Sequence, residues 1–381
     1  MHRHSLFLSL SLLLLHLSSF EAKAQLQIGN HQILPAAQHE NLQIFLLTGQ
    51  AELADQQYLT LSEALEKEKA IVRETGTVSQ LAIDNLSDET IFIHSGDIVK
   101  GGKQDRTMAY DVIISPKAKN VPLNSFCVER GRWRQRGNEK VVAFSTNTRM
   151  LSSRKLKLAA KHEGSQQAVW HNVSQQQQEL NRSLSEKSGK SVNVSHAASQ
   201  TSLQLALENK ELEKHRQDMT MHFSKLLEEN PTAVGYAYAI NGEVYGVDLY
   251  NNRSLFTDLW DKLLASMITE ALSQEAPDSI RSADPGSVLA FMDGLEKEKA
   301  EEQAVNKETQ LRTYEHKDLR LLFSTEDNNN GKWLHRNYMK GEKPTPQPKI
   351  QIQQQNQLNP RQNQRYIPNQ ENLRRNHRNR R

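Results

Sequence analysis

The segment from Val234 to Leu272 most constrains the fold. Val234–Ile240 and Glu243–Tyr250 are strand-like runs joined by Asn241-Gly242. That dipeptide supports the positive φ angles of a two-residue type I′ turn, so a β-hairpin is expected. Ser254 is then the expected cap of a long helix. Along it Phe256, Leu259, Trp260, Leu263, Leu264, Met267, Ile268, Ala271 and Leu272 fall on one face at helical period. An apolar stripe that wide must pack on a sheet, most simply the hairpin before it.

The rest of the body reads as α+β. Residues 25–145 are strand-rich, with runs at Gln43–Leu47, Leu81–Ile83, Thr90–Ile93, Val112–Ile114, Ser125–Glu129 and Val141–Ser145. Thr60 and Glu63 have capping-box spacing and open a helix expected to reach about Lys69. The turn-rich patch Asn85–Asp88 suggests that the strands on either side pair as a hairpin. Residues of about 150–230 form a polar Gln- and Ser-rich insert. Helices are expected there over Gln166–Leu184 and Leu203–Leu227, with a loose connection between them. A charged helix over Val288–Gln303 and strands at Leu311–Tyr314 and Leu319–Phe323 complete the order. The architecture expected is therefore a strand-rich N-terminal half, a helical middle, and a β-hairpin packed on a long amphipathic helix, all in one domain over 25–343.

The ends differ in kind. Arg3 precedes an apolar stretch, Leu6–Leu17, and Ala22-Lys23-Ala24 has the small-x-small form of a cleavage site. Residues 1–24 thus read as a signal peptide cleaved between Ala24 and Gln25, which places the protein in a secreted or periplasmic compartment. Residues 344–381 are rich in Gln, Asn and Arg and have too few apolar groups to fold by burial, so a disordered basic tail is expected. The formal charge of the chain is +3. The tail from Thr345 carries +7 and the leader +1, leaving the body at −5. The tail is either a weak electrostatic contact for phosphate-rich surfaces or a solubilising extension. With one cysteine, Cys127, there is no intramolecular disulfide.

Two segments could carry chemistry. His94–Thr107 follows a strand and holds three glycines, three cations and two carboxylates. Glycines present successive N–H groups to an anion, and Lys103 and Arg106 would add charge. The alternative is a tight solvated hairpin. The spacing fits neither GxxxxGK[ST] nor GxGxxG. The second segment, Ser125–Arg134, places Cys127 and Glu129 on one face of a strand. They are weak catalytic candidates, a nucleophile with a polar neighbour, or else a buried thiol beside a structural ion pair. Arg132 and Trp133 could form an anion-binding rim or an ordinary core edge. The histidines show no HExxH or CxxC spacing, so neither a metal nor another cofactor is expected.

The Gly96–Thr107 loop, the Cys127–Trp133 run and the Gly235–Asp248 hairpin with its helix together resemble the ARG and rhodanese-phosphatase-superfamily-associated protein domain. The resemblance spans about residues 30–275. It implies that Gly101, Gly102, Lys103, Gln104, Arg106, Cys127, Glu129, Arg132 and Trp133 form the family's signature, and it carries over no catalytic assignment. The combined expectation is an exported domain that binds an anionic small molecule, phosphate-like or ADP-ribose-like, through Gly101, Gly102, Lys103, Gln104, Arg106, Arg132 and Trp133. A hydrolase using Cys127 or Glu129, and a non-catalytic cell-envelope interaction protein, are the alternatives.

Overall fold

The computed structural model describes residues 26–132 and 144–342, except positions 276, 278 and 280 and the side chains of 146–149. The leader with its Ala24/Gln25 junction, Trp133 and the tail lie outside the described residues. The fold is mixed α+β. Its centre is a ten-stranded antiparallel sheet in which Leu42–Thr48, Ala233–Ile240, Glu243–Tyr250, Lys332–Lys340 and Arg320–Asp327 lie side by side. Asn241 and Gly242 have φ of 55° and 79°, the conformation a type I′ turn requires. The hairpin sits mid-sheet, and every residue of Ala233–Ile240 is buried.

Period-two alternation sends the side chains of these strands to two cores. Phe45, Leu47, Ala237, Ala239, Val247 and Leu249 meet Val288, Phe291 and Met292 of the short helix Pro285–Met292 on one face. Ile44, Leu46, Tyr236, Tyr238, Tyr250 and Leu334 meet the long helix Arg253–Ser273 on the other. Asn252, not Ser254, caps that helix, its side chain accepting from the Leu255 N–H at 2.7 Å. The helix is enclosed nearly all round, and polar residues off its apolar stripe are buried as well. Lys262 pairs with Asp97, and Glu270 pairs with Arg154.

Behind the helix stands a six-stranded sheet that includes Phe144–Leu151, Asp97–Gly101, Arg106–Met108 and Val121–Cys127. A three-stranded sheet joins Val112–Ile114, Thr90–Ile93 and Tyr58–Thr60. The Thr60–Glu63 capping box forms as its spacing dictates, on a helix over Leu61–Glu66. Three expectations are corrected. Gln80–Asn85 and Thr90–Ile93 do not pair with each other, because each finds its partners in a different sheet. The stretch Leu203–Leu227 breaks at Asn209, whose side chain caps a second helix, Lys210–Phe223. The charged stretch Val288–Gln303 is α-helical only to Met292, a single 3-10 turn follows at Leu295–Lys297, and Glu301–Ala304 joins the central sheet.

Candidate functional site

The two signature stretches meet. Arg106 stands opposite Cys127 in antiparallel register. The loop Gly101–Asp105 then turns back on Glu129 and Arg132. Gly102 has φ 53°, and a Cβ there would lie 2.5 Å from the Phe144 ring and 2.6 Å from Glu74 Oε1. The loop's N–H groups are engaged by the protein's own carboxylates: Gly101 N–H donates to Asp105 Oδ1 (3.1 Å) and Lys103 N–H to Glu74 Oε1 (3.0 Å). Gln104 Nε2 donates to the Glu129 carbonyl at 2.8 Å, and Arg106 Nη1 to the Gln104 carbonyl at 2.9 Å. Arg132 donates to Glu129 Oε2 at 2.6 Å and approaches Asp105 Oδ1 at 3.3 Å, while Ser202 Oγ donates to Asp105 Oδ2 at 3.1 Å. Gln104, Asp105, Arg106, Glu129 and Arg132 are all buried, and Lys103 is half-buried.

In this polar knot most anion-binding groups already have intramolecular anions; Arg106 Nε and Nη2 are the exception, buried without a hydrogen bond among the described residues, with Nη2 3.7 Å from Glu74 Oε2. Cys127 lies inside the knot, fully buried, its thiol donating to the Glu129 carbonyl at 2.9 Å. Burial pushes the Cys127 thiol pKa up, away from a nucleophilic thiolate.

A second polar centre lies under the long helix, and sequence spacing does not reveal it. Tyr236, Asp248, Tyr250, His335 and Asn337 project from neighbouring strands in register, Asp248 opposite Asn337 and Tyr250 opposite His335. The turn after Thr90–Ile93 adds His94, and Asp111 arrives from the start of Val112–Ile114. His335 is held between two carboxylates, with Nδ1 at 2.7 Å from Asp111 Oδ2 and Nε2 at 2.8 Å from Asp248 Oδ1. Burial opposes its charge, but Asp111 and Asp248 outweigh burial and raise its pKa. The reciprocal effect holds Asp111 well below its ordinary value and Asp248 down at about 2 despite burial. His94 Nδ1 lies 2.7 Å from the Ser95 carbonyl, which makes Nδ1 the protonated nitrogen and Nε2 the acceptor for Tyr250 Oη at 3.0 Å. Burial, reinforced by Lys157, lowers the His94 pKa to about 3, so that ring is neutral.

Beside this centre is a small cleft of about 30 Å³, lined by Arg154, Lys157, Tyr236, Tyr238, Asp248, Glu270 and Asn337 among others. Arg154 is paired with Glu270. Lys157 is 8% exposed, and its ammonium has no hydrogen-bond or ion-pair partner among the described residues. Its stem lies over Gly96 (φ 90°), where a Cβ would come within 2.7 Å of Lys157 Cε. The Gly96-Asp97 part of the signature therefore serves this centre: Gly96 admits Lys157, and Asp97 accepts from the His94 N–H at 2.9 Å and pairs with Lys262.

No curated protein and no solved structure matches the chain. The profile of the ARG and Rhodanese-Phosphatase-superfamily-associated Protein domain matches residues 30–339, from the first strands of the central sheet to the strand that carries His335 and Asn337. That match takes in both polar centres and the cleft, and the chain belongs to this family.

Proposed function

We propose that the protein is an exported binding domain for a small anionic molecule, phosphate-like or ADP-ribose-like, which it takes into the cleft beside His335 rather than at the glycine–lysine loop. The observation that carries this reading is Lys157. A buried ammonium with no ion-paired carboxylate is costly, the more so as Asp248, whose pKa it helps hold down, is already engaged by His335, and an anion entering the cleft would offset that cost. Arg154 lines the same cleft with its partner Glu270, and the Tyr236 and Tyr238 rings supply apolar wall beneath the anion. The export half of the reading rests on the leader, and N-terminal sequencing of the secreted or periplasmic protein should begin at Gln25. A hydrolase centred on Cys127 and Glu129 has no support from their geometry, since thiol and carboxylate are both enclosed in the knot.

The test is a thermal-shift panel of inorganic phosphate, pyrophosphate and ADP-ribose, run in the presence of a chelator. A ligand at 100 times its Kd stabilises by about 2.7 kcal/mol. At roughly 1.5 °C per kcal/mol for a body of ~300 residues, the midpoint should rise by about 4 °C. Lys157→Gln should abolish the shift, and Lys103→Ala should keep it. An absent shift with every anion, or one that survives Lys157→Gln, would refute the proposal.

A further inference from the structure

The centre beneath the cleft has a second property, independent of anion binding. One ligand atom from each of His94, His335 and Asp248 can be chosen so that all three lie within 4.8 Å of one another. We propose that His94 Nε2, His335 Nε2 and an Asp248 carboxylate oxygen form a binding site for one divalent transition-metal ion of the zinc class.

Three features point to this. First, each ring is already oriented by its other nitrogen. His94 Nδ1 is fixed on the Ser95 carbonyl at 2.7 Å and His335 Nδ1 on Asp111 at 2.7 Å. A carbonyl or carboxylate behind each imidazole is the support that metal-ligating histidines use, and the ion would take the places of Tyr250 Oη on His94 Nε2 and of Asp248 on His335 Nε2. Secondly, the spacing is close to what is needed. Ligand bonds of about 2.0–2.1 Å set tetrahedral edges of about 3.4 Å, so atoms now up to 4.8 Å apart would draw together by up to about 1.4 Å. Thirdly, the donor set is selective. Two imidazoles and one carboxylate suit zinc, cobalt or nickel better than magnesium or calcium.

Binding would exchange the Nε2 proton of His335 for the ion and release that proton to solvent. Asp248 would turn its oxygen from His335 to the metal while keeping Asn337, now 2.8 Å away, as its second-layer support. Three protein ligands leave a coordination position for water, on the side where Asp248 borders the cleft. The ligands come from two strands and from the turn after a third, far apart in sequence, so no local motif announces them.

The experiment uses the untagged full chain, stripped with chelator and titrated with Zn²⁺ by calorimetry and with Co²⁺ by visible absorption. One equivalent should bind, His94→Gln should weaken it at least tenfold, and His171→Gln, at an exposed position on the helix Gln166–Ser188, should leave it unchanged. Mg²⁺ should not compete. Failure of the wild type to bind one equivalent at millimolar Zn²⁺, or full binding by a folded His94→Gln variant, would overturn the proposal. Should that variant not fold, the proton spectrum of the Co²⁺-loaded wild type decides. Two exchangeable, far-shifted imidazole N–H resonances, one per histidine, support the site, and fewer than two refute it.

Discussion

Arg132 should be worth more to stability than to any ligand. Replacing it with Met would remove the cation from between two fully buried carboxylates, Glu129 at 2.6 Å and Asp105 at 3.3 Å. It would also remove the guanidinium donors of the Gly101 and Gly102 carbonyls, which now accept from it at 3.3 and 3.2 Å. Breaking a buried ion pair by deleting one partner costs about 3–5 kcal/mol, because the remaining charge stays desolvated. At roughly 1.5 °C per kcal/mol for a body of ~300 residues, the melting midpoint should fall by about 5–8 °C. Glu129→Gln should cost less, about 1–3 kcal/mol, since Arg132 would keep Asp105 and the two carbonyls. Because the residues touch, the double variant should lose less than the two single losses combined. Urea unfolding of the four proteins closes this cycle. A loss below about 1 kcal/mol for Arg132→Met would refute the role of Arg132 as the desolvated counter-ion of Glu129 and Asp105. So would strict additivity in the cycle.

Three further outcomes follow from the same geometry. Cys127 has its pKa raised by burial, so the neutral thiol persists through neutral pH, and iodoacetamide should leave the native protein unlabelled at pH 7–8.5 while reacting fully in urea; stoichiometric native labelling at pH 7 would contradict this. Gly96→Ala would force a side chain onto a φ of 90° and against Lys157 Cε at 2.7 Å, so it should cost about 1–2 kcal/mol and displace the ammonium; an unchanged anion-induced thermal shift in that variant would count against the role given to Lys157. Truncation of residues 344–381 should leave the melting point and the cleft's ligand shift unaltered while weakening retention on a phosphate-rich matrix, and loss of the ligand shift would show that the tail takes part.

Local chemistry accounts for what could be read before folding. The capping box at Thr60 and Glu63, the Asn241-Gly242 turn and the apolar stripe of the long helix are each decided within a few residues, so spacing suffices to find them. The signature loop and the Cys127–Arg132 run also stood out, and strand pairing of Arg106 with Cys127 brings them together. Their role was not legible. A glycine–lysine loop looks the same whether its N–H groups await an anion or already hold Asp105 and Glu74. The histidines near positions 94 and 335 looked scattered for a related reason, since they become neighbours only through register in sheets that join distant strands.

From its own order of residues, then, this chain specifies which segments are helix, strand and turn, and which runs are rich in charge. Those preferences act over a few bonds and survive in any fold. Tertiary structure decides which charges find an internal counter-ion and which do not. Arg132 meets two carboxylates and is consumed in the scaffold, while Lys157, one turn along from Arg154, reaches a cleft without such a partner among the described residues. That difference is set by desolvation and distance across the packed interior, quantities that exist only once the sheets and helices have closed around them.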